Sequence, residues 1–150
     1  MTKNIFKKYE NNPVLGNEKL GTCFDVYVTM DNGVYRMDFS WRKKDALAVC
    51  FSDNGVDWSE PVITLDADKK SGWEDMVNRN CVLKIDGKYK MWYTGQARGY
   101  SFIGYAESDD GIHFEKVCGN PVMIPENPWE KESVMNPCVI CEDGLYKMWY

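Results

Sequence analysis

The sequence predicts an all-β chain of the propeller type, present as an incomplete ring of antiparallel four-stranded blades. Three observations carry that prediction. One phrase occurs three times, as Gly33-Val-Tyr-Arg-Met-Asp-Phe-Ser40, Gly87-Lys-Tyr-Lys-Met-Trp-Tyr-Thr94 and Gly144-Leu-Tyr-Lys-Met-Trp-Tyr150. The steps between its glycines are 54 and 57 residues, too long for most helical solenoids and suited to a four-stranded blade. Alternating apolar runs bounded by Asp-Gly and Asn-Gly turns fill the space between, without a strong helical period.

The first unit predicts a strand over Asp25-Val-Tyr-Val-Thr29, a turn at Asp31-Asn-Gly33 and a second strand over Tyr35-Arg-Met-Asp-Phe39. A loop, Ser40 to Asp45, leads to a third strand, Ala46-Leu-Ala-Val-Cys-Phe51, and the turn Ser52-Asp-Asn-Gly55 leads to Val56-Asp-Trp58. The second unit follows the same plan. Asn80 to Ile85 forms the inner strand, Asp86-Gly87 the tight hairpin, and Lys88 to Tyr93 the second strand. Thr94 to Gly99 reads as a loop, Tyr100 to Glu107 as the third strand, Ser108 to Gly111 as a turn and Ile112 to Val117 as the fourth strand. The third unit stops at Tyr150, the end of its second strand. Matching linkers, Asn12-Pro-Val-Leu15, Glu60-Pro-Val-Ile63 and Asn120-Pro-Val-Met123, divide the chain into repeats of about 12–59, 60–118 and 119–150. The chain therefore reads as two and a half units of a larger ring.

Composition narrows the function. Hydrophobic residues make up 44% of the chain and aromatics 14%, enough for a packed core and for sugar-stacking surfaces. The net charge is -5 and the pI about 4.9, which argues against nucleic acid or an anionic membrane as partner, since both reward a basic face. No apolar run has the length needed to cross a bilayer. The N-terminal stretch Met1 to Glu10 lacks the apolar core of a signal peptide, so the expected compartment is the cytoplasm, with reduced thiols. Cys81 and Cys138 share one repeat position and read as small buried hydrophobes. The Cys138-Val-Ile-Cys141 spacing on a strand sends its ends to opposite faces, which speaks against a metal site. No Gly-rich phosphate loop is present, and His113, the only histidine, falls on an outer strand. No organic cofactor is expected.

Blade topology sorts the chain into two faces before any chemistry is assumed. Strand direction alternates, so the loops entering the first strand and joining the second to the third share one face. That face collects Asp25, Trp41, Arg42, Trp73, Glu74, Asp75, Arg79, Gln96, Arg98, Trp129, Glu130, Glu132 and Asn136. These are residues that bind sugars, with aromatics to stack and carboxylates, amides and guanidinia to bond hydroxyls. Counting back eight residues from each hairpin glycine gives Asp25, Arg79 and Asn136. Each position has a structural alternative. Arg79 binds a substrate group, or pairs with Asp25 or Glu74. Asn136 binds substrate, or forms an Asn-Pro turn. Arg42 and Arg98 touch a ligand, or form rim salt bridges. Trp73 and Trp129 stack on sugar, or pack the blades.

With these residues in hand, the chain resembles the five-bladed β-propeller glycosidases, glycoside hydrolase families 32, 43, 62, 68 and 130 and their relatives. The matching phrases are Tyr35-Arg-Met-Asp-Phe-Ser-Trp-Arg42, Tyr89-Lys-Met-Trp-Tyr-Thr-Gly95, Ile103-Gly-Tyr-Ala-Glu-Ser-Asp-Asp-Gly-Ile112 and Asn136-Pro-Cys-Val-Ile140. The likeness runs over almost the whole chain from Asn12 and is more specific for fold than for activity. It implies a glycan substrate or ligand at one end of the ring and a catalytic carboxylate near the start of the first blade's inner strand. Asp25 stands at that position, as base or nucleophile; otherwise it is a strand-entry Asp accepting backbone N–H bonds. Asn136 departs from relatives that place an Asp there, and an amide cannot act as a general base. Glycoside hydrolysis needs a second carboxyl across the scissile bond, and the resemblance puts the proton-donating Glu in a blade beyond this chain. The alternative to an enzyme is a non-catalytic carbohydrate-binding propeller or a structural half-ring. An open edge at Tyr150 would then invite a second copy or a complementing chain.

Overall fold

The computed structural model describes residues 6–150; residues 1–5, which open the N-terminal stretch read for a targeting signal, lie outside the described residues. Ten strands follow one another: β1 Cys23–Asp31, β2 Val34–Trp41, β3 Ala46–Ser52, β4 Val62–Asp66, β5 Met76–Ile85, β6 Lys88–Ala97, β7 Tyr100–Ser108, β8 Glu115–Lys116, β9 Cys138–Glu142 and β10 Leu145–Trp149. A single 3-10 turn, Arg42–Lys44, links β2 to β3. No helix among the described residues is long and apolar enough to cross a membrane.

The strands form two four-stranded antiparallel sheets, β1-β2-β3-β4 and β5-β6-β7-β8, and a third sheet of β9 and β10. This is the incomplete propeller that the repeat predicts, with each blade a meander from its inner strand outward. The hairpins close where Asp-Gly and Asn-Gly pairs supply left-handed backbone. Asn32 and Gly33 have φ 51° and 84°, and Asp86 and Gly87 have 52° and 81°. The Ser-Asp-Asn/Asp-Gly turns knit themselves. Ser52 Oγ accepts from the N–H of Gly55 (2.9 Å), and Ser108 Oγ from that of Gly111 (2.9 Å).

Several boundaries differ from the sequence reading: β5 begins at Met76 rather than Asn80, and β8 keeps only Glu115–Lys116 of the predicted Ile112 to Val117. β6 runs on to Ala97 through the stretch predicted as loop, because β7 pairs with it in unbroken register to Ala97↔Tyr100. The outer strand of the first blade is Val62–Asp66 in the Pro-Val linker, not Val56 to Trp58. Proline cannot donate to a ladder, so a strand opening just after Pro61 suits an edge.

Blades pack through alternating faces of their strands. Leu47 and Leu65 of the first blade meet Val77, Val82, Tyr89, Met91 and Tyr93 of the second. Cys81, Trp92 and Ile103 meet Val134 and Val139 toward the third. Arg36 and Asp38 of β2 lie buried, their two-point ion pair at 2.7 Å for both contacts. Burial pushes the Asp38 carboxyl up while Arg36 opposes the shift. Among the cysteines, Cys81 is buried as read, with its Sγ accepting from Val139 N–H at 3.3 Å. Cys138 is exposed instead, since no blade of this chain covers its side of β9.

Candidate functional site

The register places the candidate residues at one end of the blades. Cys23 pairs with Trp41 and Met76 with Gln96, so the starts of β1 and β5 lie beside the ends of β2 and β6. The first two inner strands break their ladders at the same point. Asp25 and Val26 together oppose the space between Ser40 and Asp38, and Arg79 and Asn80 that between Thr94 and Trp92. These are β-bulges, with one residue extra on the inner strand. Asp25, Arg79 and Asn136 all adopt left-handed backbone, with φ of 52°, 53° and 59°. The three positions reached by counting back from the hairpin glycines thus share one strained conformation. A side chain there costs about 1 kcal/mol or more relative to glycine.

A repeated hydrogen bond anchors the left-handed residue to the neighbouring blade. Arg79 donates its N–H to Ser40 Oγ at 2.9 Å, and Asn136 donates its N–H to Thr94 Oγ1 at 3.1 Å. Ser40 and Thr94 each stand seven residues after a hairpin glycine. Both are buried.

Side chains sort by environment. The Arg79 Nε lies 3.5 Å from Asp25 Oδ2, joining the first two blades, with both groups about one third exposed. The other side of the guanidinium meets Met135, Nη1 to Sδ 3.7 Å. Arg42 places its guanidinium carbon 4.4 Å from the ring centroid of Phe24, the residue before Asp25, and its Nη1 3.8 Å from Met76 Sδ. Arg98, with φ 54°, is exposed and makes no ion pair among the described residues. It lines a cleft of about 260 Å³ with Asp75, Met76, Gln96 and Tyr100. Asn136 is exposed.

The remaining candidates are held by internal contacts. Trp73 is buried, stacks on Tyr93 (centroids 6.0 Å, planes at 22°) and donates Nε1–H to the Gly119 carbonyl at 2.9 Å. Glu74 is 1% exposed and accepts from Tyr93 Oη at 2.6 Å and Asp68 N–H at 3.0 Å, with Lys116 as its ion-pair partner. Burial, then the Glu74 contact, push the Tyr93 phenol well above its usual range. The module recurs: Trp129 stacks on Tyr150 at 6.0 Å, and Glu130 accepts from Tyr150 Oη at 2.8 Å. The N–H groups of Asn127 and Glu126, each 2.6 Å from its carboxylate, hold Glu130 down at about 2. Trp129 itself remains 69% exposed. Gln96 has both ends of its amide engaged, accepting from Asn78 Nδ2 at 2.7 Å and donating to Ser101 Oγ at 2.9 Å. Trp41 donates Nε1–H to the Leu20 carbonyl at 2.7 Å and packs toward the first blade's core. Glu132 is exposed in the loop beside β7.

Four residues outside the sequence reading belong to the site's frame. Phe24, Met76 and Met135 hold the two guanidinia through soft surfaces. Tyr100, stacked on Phe102 at 6.2 Å and 48% exposed, puts an aromatic face beside Arg98. Its place directly after the Arg98-Gly99 turn is the signal that marks it.

No family model matches the chain. Two uncharacterised proteins of Mycobacterium tuberculosis, from strains CDC 1551 and H37Rv, are similar to it. They are 30% and 29% identical over 119 residues, 71% of this chain and 38% of each relative. Among solved structures, a family 117 glycoside hydrolase of Zobellia galactanivorans superposes with a TM-score of 0.73 and 16% identity, over 96% of this chain and 51% of that one. An α-L-arabinanase of Cellvibrio cellulosa gives 0.66 at 14% identity, over 84% of this chain and 43% of its own. An endo-arabinase of Bacteroides thetaiotaomicron gives 0.66 at 14%, over 83% and 43%. The fold is that of the β-propeller glycoside hydrolases, and the chain spans about half the length of such a protein or less.

Proposed function

We propose that the chain is the part of a glycoside hydrolase-like propeller that supplies the first catalytic carboxylate and much of the glycan-binding rim. Asp25 serves as base or nucleophile. Arg42, Arg79, Arg98 and Asn136 bind the sugar, and the proton donor comes from the remainder of the ring. The observation that carries this reading is the strained bulge. Glycine would take left-handed backbone at lower cost, yet the three equivalent positions, two of them in bulges, hold Asp, Arg and Asn at one end of the blades. Strain kept at equivalent positions in side chains of binding chemistry supports a site. Arg79 Nε, 3.5 Å from Asp25 Oδ2, sets a guanidinium beside the carboxylate at this end of the blades.

A second reading, a carbohydrate-binding propeller without turnover, is favoured by the Asp25–Arg79 contact itself and by the amide at Asn136. The test is turnover of a panel of aryl glycosides and oligosaccharides by the complete ring, this chain together with the blades that supply the proton donor, and by its D25N form. A general base or nucleophile predicts a fall of about 100-fold or more in kcat with binding retained. Glycan binding without turnover in either protein would select the binding reading.

A further inference from the structure

We propose that the arginine-bearing end of the blades takes a glycan that carries an anionic group, a carboxylate or a sulfate or phosphate ester. This rests on the glycan reading above and names the class of sugar. The chain has four arginines, Arg36, Arg42, Arg79 and Arg98, and all but Arg36 stand at the site end. Arg36 shows what this chain does with a structural arginine. It buries the group and satisfies it with two contacts of 2.7 Å to one carboxylate. Lys84, Lys88, Lys90, Lys116 and Lys147 likewise have carboxylate partners.

The site arginines are held differently. Arg42 rests on the Phe24 ring and Met76 sulfur, and Arg79 touches Met135 sulfur and reaches Asp25 only at 3.5 Å through Nε. Arg98 has no carboxylate partner among the described residues. A ring face attracts a cation, and a thioether is a weak acceptor. Such contacts fix a guanidinium in place while leaving most of its N–H donors open. The three groups are also contiguous. Arg42 and Arg79 flank the consecutive residues Phe24 and Asp25, and Met76 touches Arg42 while lining the cleft of Arg98. A planar fork of open donors fits carboxylate, sulfate or phosphate oxygens better than neutral hydroxyls, and arginine suits this task better than lysine. Tyr100 supplies a face for the sugar ring beside them.

The experiment is calorimetric titration of the protein, R42Q, R98Q and the double variant with oligosaccharides of equal length that are uronate-bearing, sulfated, phosphorylated or neutral. The variants' melting temperatures are checked first; both residues are exposed, so they should equal that of the parent. At low salt at least one anionic class should bind about tenfold or more tighter than the neutral one. Each substitution should remove about tenfold of that affinity and weaken anionic binding more than neutral binding. Added salt should shrink the advantage. The tightest class identifies the anion. Equal binding of neutral and anionic sugars, or anionic binding unaffected by the double variant, overturns the inference and leaves the glycan reading standing. No binding by any class overturns both.

Discussion

At the scale of the residue, Asp25 is the sharpest case. Its position could be read from the sequence by counting back from Gly33, because the hairpin fixes the register and the repeat supplies two more positions for comparison. Its left-handed backbone could not, since a left-handed position filled by Asp, Arg or Asn has no glycine to announce it. The conformation gives a stability test separate from any assay of turnover. D25G should equal or exceed the parent in stability, by up to about 1 kcal/mol, because glycine adopts this φ without strain. D25A should be less stable than D25G by about 1 kcal/mol, since both lose the Arg79 contact and only the alanine keeps the strain. Urea unfolding of the three proteins measures this. A D25A more stable than D25G would mean that the bulge holds no strain. The Trp-Glu pairs show the opposite limit. Their repetition was visible, yet whether Trp73 faced sugar or protein depended on Tyr93, which lies across the sheet. The first blade hints at the answer in its own sequence. Where Tyr93 and Tyr150 have hydroxyls for Glu74 and Glu130, Phe39 has none and is fully buried, with no carboxylate bonded to it.

Among the elements, the inner strands and hairpins were legible because period-two patterns and Asp-Gly turns are local signals. The outer strands were legible only in part: β8 lies inside the predicted Ile112 to Val117, whereas β4 falls outside Val56 to Trp58. β4 lies in a linker and β8 has only two residues, so both depend on what β3 and β7 offer as an edge. The joint between blades was hidden as well, since Ser40 and Thr94 look like ordinary strand ends. Each hydroxyl accepts the N–H of the left-handed residue, Arg79 or Asn136, in the next blade. Removing one leaves a half-buried donor unpaired, at a cost of about 1–3 kcal/mol. S40A and T94A should each destabilise by that amount, and their double variant by the sum within about 0.5 kcal/mol, because the two joints share no partner. Chemical unfolding checks the sum. A double variant no worse than either single one would mean that the joints do not act independently.

The whole molecule presents two uncovered apolar faces. On β1, Val26, Val28 and Met30 are each between 46% and 57% exposed. On the third sheet and the loop before it, Trp129, Leu145, Trp149 and Tyr150 are between 43% and 69% exposed. Within the molecule the equivalent surfaces are covered: Trp92 is 7% exposed against the third sheet, and Val82 is 6% exposed at the joint with the first blade. In a propeller each blade packs on the next, so one face is built to receive a blade and the other to be received by one. A head-to-tail contact between copies would use both at once, whereas a two-fold contact would set like against like. Contiguous apolar surface of this kind drives association in water. The 150-residue chain, made as such, should therefore show an average mass in light scattering that rises with concentration. Placing charge at the receiving face with V28K should lower that mass, and so should W149K at the other. If association runs head to tail, mixing V28K with W149K should restore it, because each variant keeps one intact face for the other. A mass that stays monomeric at all concentrations would mean that these faces are too polar or too mobile to hold a partner. Association of the mixed variants no stronger than that of either alone would overturn the head-to-tail arrangement.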